Sequence, residues 1–80
     1  MNMQKKVRIY TTSTCVYCSM LKSYLAQHKV EFESVDVGAD RKAFLDMKER
    51  TGLMSVPVIE IEGKFIAGFD KEAIAKELGL

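Results

Sequence analysis

The residues best equipped for chemistry are Cys15 and Cys18, the two cysteines of an 80-residue chain. In Cys15-Val16-Tyr17-Cys18 the second thiol comes one helical turn after the first and on the same face. A thiolate is the nucleophile of thiol–disulfide exchange, and the unpaired N–H groups and positive dipole end of a helix N-terminus favour that charged form. A Cys15 placed there attacks a disulfide, and a deeper Cys18 displaces the mixed disulfide that results. Three plainer readings compete. A structural disulfide across so short a loop removes little chain entropy and is hard to keep oxidised in a reducing compartment. An intrachain zinc site wants four ligands, and beyond the pair the chain offers His28 and the acids. Two buried cysteines without chemistry are the third. A Cys-X-X-Cys that follows a strand in a βαβ setting favours redox work over all three.

The elements that must position the pair are legible in the apolar pattern. Val7-Arg8-Ile9-Tyr10 alternates as a strand that stops at Thr11-Thr12-Ser13-Thr14, a hydroxyl-rich loop and helix start. From Val16 to His28, the positions Met20, Leu21, Tyr24, Leu25 and His28 recur at three and four, predicting a helix with those residues on its buried face. Phe32, Val35 and Val37 predict a second strand, and Gly38-Ala39-Asp40 a turn ending in an N-cap. Ala43, Phe44 and Met47 mark a second helix, with Lys48 and Arg50 suited to its negative end and Gly52 its stop. Val56–Ile61 and Lys64–Ala67 predict a hairpin through Glu62-Gly63. Asp70 caps a last helix with Ile74 and Leu78 buried and Gly79 at its end.

The order βαβαββα demands a parallel first pair with a right-handed crossover and an antiparallel last pair. The predicted fold class is α/β, a four-stranded mixed sheet flanked by three helices on both faces. The cysteines then sit near the C-terminal edge of the first strand, where open α/β sheets build their sites.

Composition narrows the function classes. One chain of 80 residues, 48% hydrophobic and 29% charged, predicts a single folded domain over residues 1–80. Twelve Lys and Arg against eleven Asp and Glu, with signs mixed, leave no basic footprint for nucleic acid. No apolar run is long enough to cross a membrane, and Lys5, Lys6 and Arg8 precede no signal-peptide core. The expectation is a cytoplasmic protein.

With the strand, the Cys15–Cys18 helix start and Ser55-Val56-Pro57 in place, nearly the whole chain resembles the glutaredoxin family of the thioredoxin fold. Tyr10–Cys18 is similar to the family segment ending in Cys-Pro-Tyr-Cys, Ser55-Val56-Pro57 to its Thr-Val-Pro, and Gly68-Phe69-Asp70 to its Gly-X-Asp. The resemblance implies a dithiol oxidoreductase in which Cys15 attacks and Cys18 resolves. It implies a cis Val56–Pro57 bond facing the cysteines; a trans proline starting an edge strand is the plain alternative. It also places Tyr17, Val56, Pro57 and Asp70, with Gly68 and Phe69 beside them, in the substrate or glutathione site. Thr12 and Ser13 stand where many glutaredoxins carry a basic residue and a proline, and Ala67 where a first glycine is common. Val16 and Gly68-Phe69 resemble, in turn, the glutaredoxin-like electron donors of class Ib ribonucleotide reductase. Those donors usually show Trp-Ser before the Gly-Phe and Arg-Pro-Asp after it; here Ile66-Ala67 and Asp70-Lys71-Glu72 stand instead. The expected partners are a disulfide-containing protein such as ribonucleotide reductase and, as reductant, glutathione or thioredoxin reductase. No tightly bound cofactor, no metal and a monomer are expected, with glutathione as co-substrate. The rival reading is a carrier in which Cys15 of two chains, helped by glutathione, holds an iron–sulfur cluster.

Overall fold

The structure is a computed structural model that describes residues 6–80. Lys5 and the first residues of the expected domain lie outside the described residues.

Strand β1 (Val7–Thr11) is the hub of the sheet. It pairs in parallel with β2 (Glu33–Asp36) on one side and antiparallel with β3 (Val58–Ile61) on the other. β4 (Lys64–Ala67) adds antiparallel to β3, so the order is β2-β1-β3-β4. A strand with neighbours on both edges and helices on both faces must be apolar at both parities, and Val7, Ile9 and Tyr10 are all buried. Helices α1 (Val16–Gln27), α2 (Arg41–Thr51) and α3 (Lys71–Leu78) complete the expected βαβαββα order.

The two faces build separate cores. Val7, Ile9, Ile59 and Ile61 of the sheet pack with Leu21 and Leu25 of α1 and Ile74 of α3. On the other face Tyr10 and Val58 pack with Val37 and with Met47 of α2. That second face also holds an ion-pair lattice. Arg8 lies opposite both Glu33 and Glu60 in the ladders and pairs with each, at 3.1 and 3.9 Å. Arg50 of α2 pairs with Glu60 at 2.9 Å, donates to the Tyr10 hydroxyl at 3.1 Å and lies 5.1 Å over the Phe65 ring.

Several expected boundaries shift for physical reasons. β1 runs through Thr11 instead of stopping before it, because β-branched Thr11 pairs with Asp36 and accepts from the Val37 N–H at 2.9 Å. β2 is a residue shorter at each end than the Phe32–Val37 pattern. β3 starts at Val58 and not at Val56, since Pro57 has no N–H to give to a ladder. The stripe of α1 is Cys18, Leu21 and Leu25, so the expected burial of Met20 and His28 is corrected. Met20 is 46% exposed, and His28 is the exposed C-cap with its ring 4.7 Å from that of Tyr24. A straight helix can turn only one of two neighbouring diagonals fully onto the sheet. The half-buried Tyr24 turns instead towards Phe69, 5.8 Å away.

Candidate active site

The register brings three connections to one edge of the sheet. Thr11 ends β1, its neighbour Tyr10 pairs with Val58 at the start of β3, and Val58 pairs with Ala67 at the end of β4. The Thr12–Cys15 turn, the Leu53–Pro57 segment and Gly68–Asp70 therefore emerge side by side. The Gly68 N–H donates to the Pro57 carbonyl at 2.8 Å, tying two of them together. Gly68 has φ +75°, a left-handed conformation that glycine adopts without a steric penalty.

Cys15 is the N-cap of α1. Its backbone is extended (φ −86°, ψ 113°), and its Sγ accepts the Cys18 N–H at 3.1 Å. No acidic side chain occupies the first turn of α1, so the sulfur alone answers the positive end of the dipole. Val16 and Tyr17 beside it are 70% and 63% exposed, and Cys15 itself is half-buried. Cys18, one turn in, is 1% exposed. Burial pushes the Cys18 thiol above its ordinary value, and its hydrogen bond with Cys15 pushes the same way; hydrogen bonds from Thr11 and the Thr12 backbone oppose them. The outer sulfur can meet a substrate while the inner one stays a protected thiol. Both cysteines are free.

The remaining expected site residues take different parts. The Val56–Pro57 peptide bond is cis. Pro57 is buried and Val56 half-buried against the α2-side core. Tyr17 projects into solvent. Phe69 is half-buried, packing on the α1/α3 core and on Tyr24. Asp70 caps α3 by accepting the Ala73 N–H at 3.2 Å and stays exposed. Among the described residues no group of three or more His, Cys, Asp or Glu is arranged to hold a metal ion.

Three features at this edge escape the motif reading. Thr11 is buried beneath the pair at 3% exposure; strand alternation, which places 7, 9 and 11 on one face, was the available signal. Met54, 62% exposed, precedes the Val56–Pro57 bond. A cavity of about 360 Å³ opens beside Val16, Met20, Tyr24, Phe69 and Lys71, and Lys71 Nζ stands 5.8 Å from both aromatic rings. A larger cavity of about 460 Å³ lies at the opposite end of the sheet, beside Val7, Phe32 and Gly63, away from both sulfurs.

The family model described as glutaredoxin matches residues 7–66. The chain belongs to the glutaredoxin family. Glutaredoxin 3 of Escherichia coli K12 is 34% identical over 64 residues, covering 80% of this chain and 77% of its own. A glutaredoxin-like 8.6 kDa protein from the rubredoxin operon of Clostridium pasteurianum is 39% identical over 70 residues, covering 88% of this chain and 93% of its own. Among solved structures, the thioredoxin-like protein BC3987 superposes with a TM-score of 0.86 at 30% identity, over 91% of this chain and all of that one. The fold is thus thioredoxin-like, as the element order predicts. Like its relatives, this glutaredoxin-family chain is a thiol–disulfide oxidoreductase. No helix among the described residues is long and apolar enough to cross a membrane.

Proposed function

We propose that the protein reduces protein disulfides and mixed disulfides with glutathione through a Cys15–Cys18 dithiol cycle. The observation that carries this reading is the division between the two sulfurs: one at a helix N-cap beside exposed neighbours, the other 1% exposed one turn inward. In the first step the Cys15 thiolate attacks a substrate disulfide; one S–S bond forms, the substrate's breaks, and one substrate sulfur leaves as a thiol after taking up a proton. In the second, Cys18 gives up its proton and attacks Cys15, forming the Cys15–Cys18 disulfide and releasing the second substrate thiol. Two electrons have then passed to the substrate, and glutathione or thioredoxin reductase restores them.

Substrate positioning falls to the same edge. The main chain of Val56 makes no backbone hydrogen bond outside the helices and ladders among the described residues, so an extended substrate can pair there as an added strand. Tyr17, Gly68 and Phe69 flank it, and the exposed Asp70 carboxylate meets the ammonium group of a γ-glutamyl moiety. The reading includes action as a monomer in the reducing cytoplasm, with ribonucleotide reductase among the protein disulfides served.

The test follows NADPH oxidation in two coupled assays, one with glutathione and glutathione reductase, the other with thioredoxin reductase. Turnover in at least one, lost in Cys15→Ser, is the expected result. Full turnover in Cys15→Ser overturns the reading, and turnover with thioredoxin reductase alone removes glutathione as the reductant.

A further inference from the structure

Helix α1 carries two apolar rows, and the core uses one of them. Cys18, Leu21 and Leu25 face the sheet and are buried. Val16, Met20 and Tyr24, four apart, form the second row. Val16 and Met20 are exposed and Tyr24 is half-buried. With Phe69 this row lines the cavity of about 360 Å³. The cavity opens off the reactive edge at two points: Val16 directly follows Cys15, and Phe69 directly follows Gly68, which is tied to Pro57. Lys71, the first residue of α3, is exposed and supplies the one charged side chain of the lining. A cation at a helix N-terminus opposes the dipole, so α3 gains nothing from a lysine there. Its ammonium pairs with no carboxylate among the described residues. It stands 5.8 Å from the Tyr24 and Phe69 rings, near the outer limit of cation–π attraction.

We propose that this groove is a specificity subsite for protein substrates. It takes an apolar side chain from the segment that carries the substrate disulfide, against Val16, Met20 and Phe69, and an acidic side chain beside it, at Lys71. This rests on Cys15 being the nucleophile and names which protein disulfides it prefers. The cavity lies at the small end of the range for ligand sites, which suits a pair of neighbouring side chains. The sign of the charge follows from Lys71 alone. Ser23 and Gln27, farther along α1, offer hydrogen bonds without charge. A basic side chain entering the groove meets a like charge already standing over both rings, whereas a carboxylate gives that ammonium the partner it lacks.

The experiment uses short blocked peptides whose single cysteine is a mixed disulfide with pyridine-2-thiol. The Cys15 thiolate attacks the peptide sulfur, the Cys15–peptide disulfide forms, the peptide–pyridyl disulfide breaks, and pyridine-2-thione leaves with a proton and is followed by its absorbance. Each peptide carries Leu-Glu, Leu-Lys or Ser-Glu close to the cysteine, in one set after it and in a second set before it. Every rate is divided by that of the same peptide with dithiothreitol, which removes its intrinsic reactivity. In one of the two sets, wild type is expected to prefer Leu-Glu over Leu-Lys roughly tenfold, the size of an exposed attraction exchanged for a repulsion. The same set should favour Leu-Glu over Ser-Glu about fivefold through partial burial of the leucine. Lys71→Gln brings the Glu-to-Lys ratio to within about twofold of one, and Lys71→Glu inverts it. Met20→Asn brings the Leu-to-Ser ratio below about twofold. Each preference is a ratio within one variant, so an effect of the substitution on Cys15 itself cancels. Acidic residues suit a helix N-terminus and Met20 is exposed, so the variants keep the fold. Equal rates with Leu-Glu and Leu-Lys in both sets overturn the proposal, as does a preference that survives Lys71→Glu. A Ser-Glu peptide as fast as Leu-Glu also overturns it, leaving a bare anion site. Release by Cys15→Ser as fast as by wild type removes the Cys15 reading, and the subsite with it. Release that is lost in Cys15→Ser but blind to peptide sequence removes the subsite alone.

Discussion

Helices α2 and α3 begin on an aspartate, and α1 begins on a cysteine. The three caps are nearly superimposable in their hydrogen bonding: Asp40 accepts the Ala43 N–H at 3.1 Å, Asp70 the Ala73 N–H at 3.2 Å, and Cys15 the Cys18 N–H at 3.1 Å. All three cap residues are extended, with φ between −86° and −116°. A carboxylate is already charged and inert in that role. A sulfur given the same three-residue bond to a backbone donor is a nucleophile held at the dipole's positive end. On the proposed reading, the active site is a helix cap whose capping atom is the nucleophile.

The largest test of that comparison separates chemistry from capping. Serine is among the best N-caps, so Cys15→Ser should reduce turnover in the NADPH-coupled assays to the uncatalysed background while its melting temperature moves by less than about 4 °C. Cys15→Ala should be equally inactive and also lose the cap, with a melting point roughly 4–8 °C below wild type for a loss near 1 kcal/mol. Next, Cys18→Ser should stop after the first step and accumulate a Cys15 mixed disulfide with a protein or glutathione disulfide, visible as an added mass by intact-protein mass spectrometry. The absence of any adduct under conditions where wild type turns over would break the ordered assignment of the two sulfurs.

The aspartate caps offer a finer contrast. Asp40→Ala and Asp70→Ala should each cost about 1 kcal/mol in urea unfolding, within a range of roughly 0.5–2. Only Asp70→Ala should also raise KM for a glutathionylated substrate, because Asp40 opens α2 after β2 and is not among the residues assigned to substrate. Equal KM values in the two variants would leave Asp70 a cap and nothing more.

The smallest effect is in the pH dependence of the reduced protein. Burial raises the folded-state pKa of Cys18 above its unfolded value, so the folded protein holds that proton more tightly than the unfolded chain. The stability this contributes is fully present below the unfolded thiol value of about 8.5 and is lost as pH rises from there through the folded value. Urea midpoints of reduced wild type should therefore fall more steeply above that pH than those of Cys18→Ala. Parallel curves would argue against a Cys18 raised by burial.

Much of this architecture was legible in the chain because its punctuation is local. Asp40, Gly52, Asp70 and Gly79 mark helix ends through bonds that span only three or four residues, and the Cys-X-X-Cys marks the third N-terminus by the same short-range geometry. Alternation located the strands within a residue or two. What resisted reading depends on partners distant in sequence. Nothing near Arg50 announces that it will join Glu60 and Tyr10, ten and forty residues away. Met20 fits a helical diagonal as well as Leu21 does, and the position of the sheet decides which of them is buried. Thr11 reads as loop because its hydroxyl-rich neighbours do, until β2 supplies a pairing partner.

The sequence by itself determined the order of elements, their caps and the identity and spacing of the reactive pair, since each follows from backbone hydrogen bonding and side-chain periodicity within a few residues. Tertiary structure alone decided that β3 runs antiparallel beside β1, that the Val56–Pro57 bond therefore meets the cysteine edge, and that Cys18 is sealed over Thr11 while Cys15 stays half open. Those are consequences of burial, and burial is conferred by neighbours the local chain does not contain.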